Sequence, residues 1–210
     1  MKKIGLQLLA MAGALMLLGG CAMKPSTESA MSKMMQPMTT VAEQAPDKAR
    51  IIFLRPSAFG WLIDAPVFYL NGDEEQLLGI STYGTRIDHM VAPGKHLYMV
   101  IGESADFMEA EVEAGKTYYA LVTPRMGVWK ARFSLHPVHR ESSFEFNLQH
   151  KEFSGWLNGA KPISLLPAGL DWQRKNQASI DEKRAEDYPE WLKKPEQEKR
   201  IVTLVPADGV

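Results

Sequence analysis

The sequence predicts a mainly β protein: an antiparallel β-sandwich with a C-terminal helical extension. Three observations predict it. Between Ala49 and Leu135, short apolar or alternating segments recur eight times, with no long helical stretch between them. The breaks carry turn chemistry, as in Asn71-Gly72, Pro93-Gly94 and Ala114-Gly115-Lys116. Farther on the character changes, and Leu170 to Tyr188 is proline-free and rich in Gln, Lys, Arg, Asp and Glu. Parallel strands need crossover segments, usually helices, so a helix-free run of strands points to antiparallel pairing, as a sandwich or a barrel-like sandwich.

The strands follow in order. Ile51-Ile52-Phe53-Leu54 is a short apolar run closed by Arg55-Pro56, which suits a buried strand. Val67 to Leu70 follows Pro66, turns at Asn71-Gly72 and returns as Leu77 to Ile80, with Asp73-Glu74-Glu75-Gln76 as an insertion. From Tyr83 to Val91, Ile87, His89 and Val91 share one face, and Arg86, Asp88 and Met90 share the other. Leu97, Met99 and Ile101 alternate with His96, Tyr98 and Val100. Met108, Ala110 and Val112 alternate with Glu109, Glu111 and Glu113, a half-solvated pattern. Thr117 to Val122 comes next, and last Trp129, Ala131, Phe133 and Leu135 alternate with Lys130, Arg132 and Ser134.

Beyond the strands, Lys151 to Leu157 suits a short helix showing Phe153, Trp156 and Leu157, and 161–169 reads as loop. Leu170 to Tyr188 is expected as a solvent-facing helix anchored by Leu170, Trp172 and Ile180. Pro189 would open a further turn, and Pro195-Glu196 a short charged helix toward Ile201 and Leu204. The many large apolar groups after residue 137 are expected to cover the sandwich. A free arm with its aromatic side turned to a partner is the other arrangement they allow.

The N-terminus reads as an export leader. Lys2 and Lys3 precede an apolar stretch from Ile4 to Leu18, too short for a membrane span, which needs about 20 apolar residues. Leu18-Gly19-Gly20-Cys21 then resembles the bacterial lipoprotein processing motif. That resemblance implies lipid transfer to the Cys21 sulfur, cleavage after Gly20 and acylation of the new amino terminus. It places the mature protein in the cell envelope. With Ala22 rather than aspartate after the cysteine, the outer membrane, facing the periplasm, is the expected site. Cys21 is the single cysteine, so the body has no internal disulfide. Residues 22–48 read as a flexible tether. Met31, Met34, Met35 and Met38 at near-helical spacing are an alternative docking face. The domain plan is thus 1–20 signal peptide, 21–48 lipidated tether, 49–137 sandwich and 138–210 helical extension.

In order, Ala49 to Pro56, Pro66 to Gly72, Pro93-Gly94-Lys95-His96 and Gly115-Lys116-Thr117-Tyr118-Tyr119 together resemble a bacterial family of small domains common in exported lipoproteins. The resemblance covers roughly residues 49–123. It implies a β-sandwich of the transthyretin-like type and carries no established catalytic residues.

Composition and motifs narrow the function. The full chain has 24 basic and 25 acidic side chains. Losing Lys2 and Lys3 leaves 22 against 25, a net charge of −3, which does not suit a nucleic-acid binder. No Gly-rich phosphate loop and no Gly-x-Ser-x-Gly elbow occurs, so neither chemistry has its motif. His136-Pro137-Val138-His139 is the best metal-like spacing, but two exposed histidines at a strand exit account for it as well. No catalytic residue, metal or cofactor is expected. Phe59, Trp61, Trp156 and Trp172 are the candidate partner-binding residues, because aromatics serve both as interface hot spots and as helix anchors. The expected role is a lipid-anchored accessory or interaction domain with an envelope protein partner. A binding module for a small envelope ligand, such as a glycan fragment, is the alternative.

Overall fold

The computed structural model describes residues 32–60, 63–127 and 131–210. The leader, Cys21, Met31, Trp61 and Trp129 lie outside the described residues. After a single 3-10 turn come β1 (Met35–Pro37), β2 (Ala49–Leu54), β3 (Ala65–Asn71), β4 (Glu74–Ser81) and β5 (Thr85–Val91). Then follow β6 (Gly94–Ile101), β7 (Ala105–Val112), β8 (Thr117–Arg125) and β9 (Arg132–Pro137). The chain closes with α1 (Phe153–Gly159), β10 (Lys161–Leu165), α2 (Pro167–Leu192), α3 (Glu196–Ile201) and β11 (Thr203–Leu204). The protein is mainly β with C-terminal helices.

Two sheets form, ordered β1-β10-β5-β2-β8-β9 and β11-β7-β6-β3-β4. Between them lies one apolar core. Ile51 and Phe53 of β2, Tyr118 and Ala120 of β8 and Phe133 of β9 meet Val67 of β3, Tyr98 of β6 and Met108 of β7. Across this gap the Phe53 and Tyr98 rings stand 5.1 Å apart. The β3–β4 hairpin pairs Asn71 with Glu74, so Gly72-Asp73 is its two-residue loop. Gly72 has φ 63°, the left-handed conformation that such a turn asks of glycine. The supposed insertion at Asp73 to Gln76 is therefore this loop and the start of β4.

Antiparallel pairing throughout does not hold. β2 with β8, β5 with β10 and β7 with β11 are parallel. The helix-crossover argument failed because strands can serve as the crossover. Between β2 and β8 the chain makes β3 and β4 of the second sheet, returns as β5, and makes β6 and β7 before it returns again.

Both outer faces are covered. On the second sheet, Phe68, Leu77, Met99 and Phe107 pack under α2 through Ile180 and Trp191, with Trp172 and Tyr188 alongside. On the first, Ile52, Leu54 and Leu121 lie under Val138, Phe146, Phe153, Trp156 and Leu157. Leu170 is no anchor, being 46% exposed, whereas Trp191, only 3% exposed, is one. Helix α2 continues through Pro189 to Leu192 instead of ending before it. A proline that late removes only one backbone bond, and burying Trp191 offsets the loss.

The polar residues of α2 hold backbone groups at the strand ends. Lys183 Nζ donates to the carbonyls of Gly102 (3.1 Å) and Glu103 (2.6 Å), and Asp187 Oδ2 accepts from Ala105 N–H at 2.7 Å. Arg184 donates to Gly72 O at 2.6 Å and pairs with Glu75 at 2.7 Å.

The stretch read as tether joins the body from Met34 onward. β1 pairs with β10, Leu166 N–H donates to Met34 O at 2.8 Å, and Met38 N–H to Pro162 O at 2.9 Å. Met34 and Met35 thus lie in a turn and a strand, not on one helix face. Gln44 donates to Lys116 O at 2.8 Å and accepts from the Thr117 hydroxyl at 2.8 Å. β10, expected as loop, forms despite Pro162 because the proline needs only its carbonyl there, which accepts from Met38 N–H.

Trp191→Ala should destabilise the protein by roughly 3–5 kcal/mol, and Leu170→Ala should stay within about 0.5 kcal/mol of wild type. Urea denaturation of both variants checks this contrast, and equal losses would refute the assignment of the anchor.

Candidate functional site

On the outer face of the first sheet, beside the end of α1, lies a groove of about 460 Å³. Four strands line it, with Pro162 from β10. Arg50 and Ile52 come from β2, Arg86 from β5, and Thr117 and Tyr119 from β8, with Leu157 and Asn158 of α1 opposite. Alternation explains the composition, because Arg50, Ile52 and Leu54 share the β2 face that looks away from the inter-sheet core. The pairing sets Ile52 beside Asp88 and Leu54 beside Arg86.

Arg86 Nε stands 3.2 Å from Asp88 Oδ2. It lacks the alignment of a hydrogen bond, and among the described residues both Asp88 oxygens and the Nε atoms of Arg50 and Arg86 have no hydrogen-bond partner. Arg50 Nη2 donates to Ala42 O. Burial pushes the Asp88 carboxyl up, against the pull of Arg86 and Arg50. Burial likewise raises the Tyr119 phenol, with the two arginines opposing. The groove thus brings together two guanidiniums, an aromatic ring and a few apolar side chains, with the Asp88 carboxylate beside Arg86. Sequence reasoning put Arg86 and Asp88 on one face but did not join them to Arg50. The available signal was a charged residue recurring on strand faces that are otherwise apolar.

A second polar cluster surrounds His139. Its Nδ1 is 3.1 Å from Asp208 Oδ2 and its Nε2 is 3.2 Å from Ile201 O. The ring stacks on Phe144 with centroids 3.8 Å apart. Asp208 also accepts from the N–H groups of Val205 (2.9 Å) and Arg140 (2.8 Å). Burial raises the Asp208 carboxyl, but these hydrogen bonds and the neighbouring His139 outweigh it and hold it below its ordinary value. Arg140 Nε donates to Ala207 O at 2.6 Å, so the cluster fastens the C-terminal segment to the end of β9. His136 instead sits against the Phe146 ring, 5.1 Å away. No group of three metal-ligating side chains is assembled among the described residues.

The proposed partner-binding aromatics do not form one patch. Phe59 is 55% exposed in the loop after β2. Trp156 stacks on His150 at 4.6 Å over the first sheet, while Trp172 packs over the second. Two of the candidates thus lie on opposite outer faces of the sandwich.

His89, Tyr69, His96 and Tyr98 gather at one end of the inter-sheet core. The Tyr69 ring is 5.2 Å from His89 and 5.7 Å from His96. His96 Nε2 donates to Ala92 O at 2.8 Å, so in the neutral ring Nδ1 accepts from the Tyr69 hydroxyl at 3.2 Å. Among the described residues, His89 Nε2 and the Tyr98 hydroxyl are buried without a partner.

The chain matches no protein-family model and no curated protein sequence.

Burial, aided by nearby His96, lowers the His89 pKa from 6.5 to about 4. Between those values the unfolded chain binds a proton that the folded chain refuses. Stability therefore falls as pH drops from 7 toward 4, by roughly 2 kcal/mol between pH 7 and 5. His89→Phe should remove most of that slope. Chemical denaturation of both proteins at pH 7 and 5 measures it, and parallel slopes would show that His89 is not its source.

Proposed function

We propose that the protein is a lipid-anchored accessory domain of the cell envelope, held through Cys21 at the outer membrane and facing the periplasm. It acts by binding rather than by catalysis. The supporting observation is where the chain joins the fold. Pairing begins at Met35, so only the thirteen positions 22–34 separate it from the Leu18-Gly19-Gly20-Cys21 motif. Even fully extended, a segment of that length reaches no more than about 50 Å. The body therefore stays close to the bilayer, where an envelope protein partner can reach it.

Two further features support the non-catalytic reading. The buried His139–Asp208 pair resembles half of a catalytic triad, but both ring nitrogens are engaged within the protein. The mature net charge of −3 argues against nucleic acid as partner. We read the fold as a variant of the transthyretin-like sandwiches of exported lipoproteins, on the ordered segments from Ala49 to Tyr119 that resemble them; its three parallel strand pairs depart from all-antiparallel pairing.

A second reading, a binding module for a small envelope ligand, is favoured by the groove at Arg50 and Arg86. Its volume of about 460 Å³ falls within the usual range for small-molecule sites, roughly 300–1,000 Å³.

Cys21→Ser should move the protein from the membrane fraction to the soluble periplasmic fraction, or leave it unprocessed. Mass spectrometry of the wild-type N-terminus should find a lipid-modified Cys21 as first residue, and density-gradient separation should place it with outer membranes. An unmodified Cys21 in the mature protein would end the anchored reading.

A further inference from the structure

We infer that the groove beside α1 is a binding site for a singly charged acidic sugar, a carboxylate carried on a polyhydroxylated ring. This deepens the small-ligand reading of the same groove and does not depend on the lipid anchor.

Charge comes first. Arg50 and Arg86 line the groove, and the one carboxylate acting on them, Asp88 beside Arg86, leaves one formal positive charge in excess. Neither arginine is committed to a two-pronged carboxylate partner. Arg86 meets Asp88 through Nε alone, without hydrogen-bond alignment, and Arg50 donates through Nη2 to the Ala42 carbonyl. A guanidinium presents five donors in a planar fork that matches a carboxylate, so both retain capacity for an anionic ligand. Asp88 beside them disfavours a doubly charged ligand, and this sets a carboxylate above a phosphate dianion.

The remaining lining selects what carries the charge. Tyr119, Ile52 and Leu157 supply the apolar part of the lining, and Asn158 adds a donor and acceptor for hydroxyls. A small-molecule site orients its ligand with a few convergent polar groups. A ring with C–H groups on its face and hydroxyls around its edge meets both demands, and a hydrocarbon acid would leave Asn158 unused.

The test is calorimetric titration of the full mature protein in detergent micelles with D-glucuronate, D-glucose and inorganic phosphate. It is paired with amide chemical shifts at Thr117, Tyr119 and Asn158. Glucuronate should bind at least about tenfold more tightly than glucose or phosphate and shift those amides. Arg86→Gln should weaken glucuronate by about tenfold or more, since it removes a charged hydrogen-bond donor. Arg86→Lys should recover part of the loss. Asn158 is exposed at the end of α1, so Asn158→Ala keeps the fold and should weaken glucuronate a few-fold even if Arg86→Gln fails to fold. Phosphate binding as tightly as glucuronate would overturn the sugar assignment, and glucose binding as tightly would overturn the anionic one. Unchanged affinity in Asn158→Ala and Arg86→Gln would move the site elsewhere. If no probe binds and no groove amide shifts, the ligand-site reading itself falls, whatever the state of Cys21.

Discussion

Strand β2 is the constraint on which the rest of the structure depends. Its two edges are both occupied, by β5 antiparallel and by β8 parallel. Its two faces are both occupied as well, with Ile51 and Phe53 in the inter-sheet core and Ile52 and Leu54 under the α1 region. A strand buried on both faces reads as a continuous apolar run, and this is the character of Ile51 to Leu54. Each excursion of the chain leaves β2's sheet, builds two strands of the other sheet and returns to lie against β2. The first return lands on one edge as β5 and the second on the other edge as β8. The parallel pair is the geometric consequence of two such returns to one central strand. At the exit, buried Arg55 donates to the carbonyls of Ser81 and Gly60, which ties the chain leaving β2 to the end of β4. Burial lowers its pKa to about 10, against the charge of Asp64, so the guanidinium stays protonated at neutral pH.

Filling the inter-sheet core does not finish the fold, because both outer faces carry large apolar groups too. Helix α2 solves this for the second sheet with few apolar residues of its own. Ile180 and Trp191 supply the contact, and Lys183, Arg184 and Asp187 bond to backbone groups at the ends of the β3–β4 and β6–β7 hairpins. Those groups would otherwise need water, so each bond replaces solvent that the docked helix displaces. A helix can therefore be charged along much of its length and still be a fixed part of the body. The same logic closes the C-terminus, where Asp208 gathers three donors and Arg140 returns two of its own.

The strands were legible because alternation and turn chemistry are local. Every segment expected between Ala49 and Leu135 overlaps a strand, and Gly72, Gly94 and Gly115 all take positive φ at the expected breaks. What escaped is non-local. Nothing in the three residues of β1 marks them as a strand until β10 offers an edge, and β10 itself hides behind Pro162. The parallel pairs depend on which edge of β2 a distant strand finds. Leu170 and Trp191 were misjudged because the helical pattern of α2 is carried by polar clasps as much as by apolar anchors. At the groove, Arg86 and Asp88 were legible as neighbours on one face, but their meeting with Arg50 and Tyr119 is a product of sheet order.

The position of the groove follows from the mismatch between cover and sheet. Helix α1 has seven residues, about two turns, and shields only part of the outer face it rests on. Under its apolar side lie Leu54, Ile52 and Leu121. Along the same face of β2 the next residue is Arg50, and along β5 the residues facing out are Arg86 and Asp88. The face turns polar where the cover runs out, so no apolar surface is left bare there. That accounts for polar residues at the edge of the cover, where Arg86 meets Asp88 and Arg50 donates to the Ala42 carbonyl. Both side chains line a concavity, so the donors they do not use within the protein face space that a ligand can enter. A ligand carboxylate received by the free ends of both side chains would complete what the sheet leaves open.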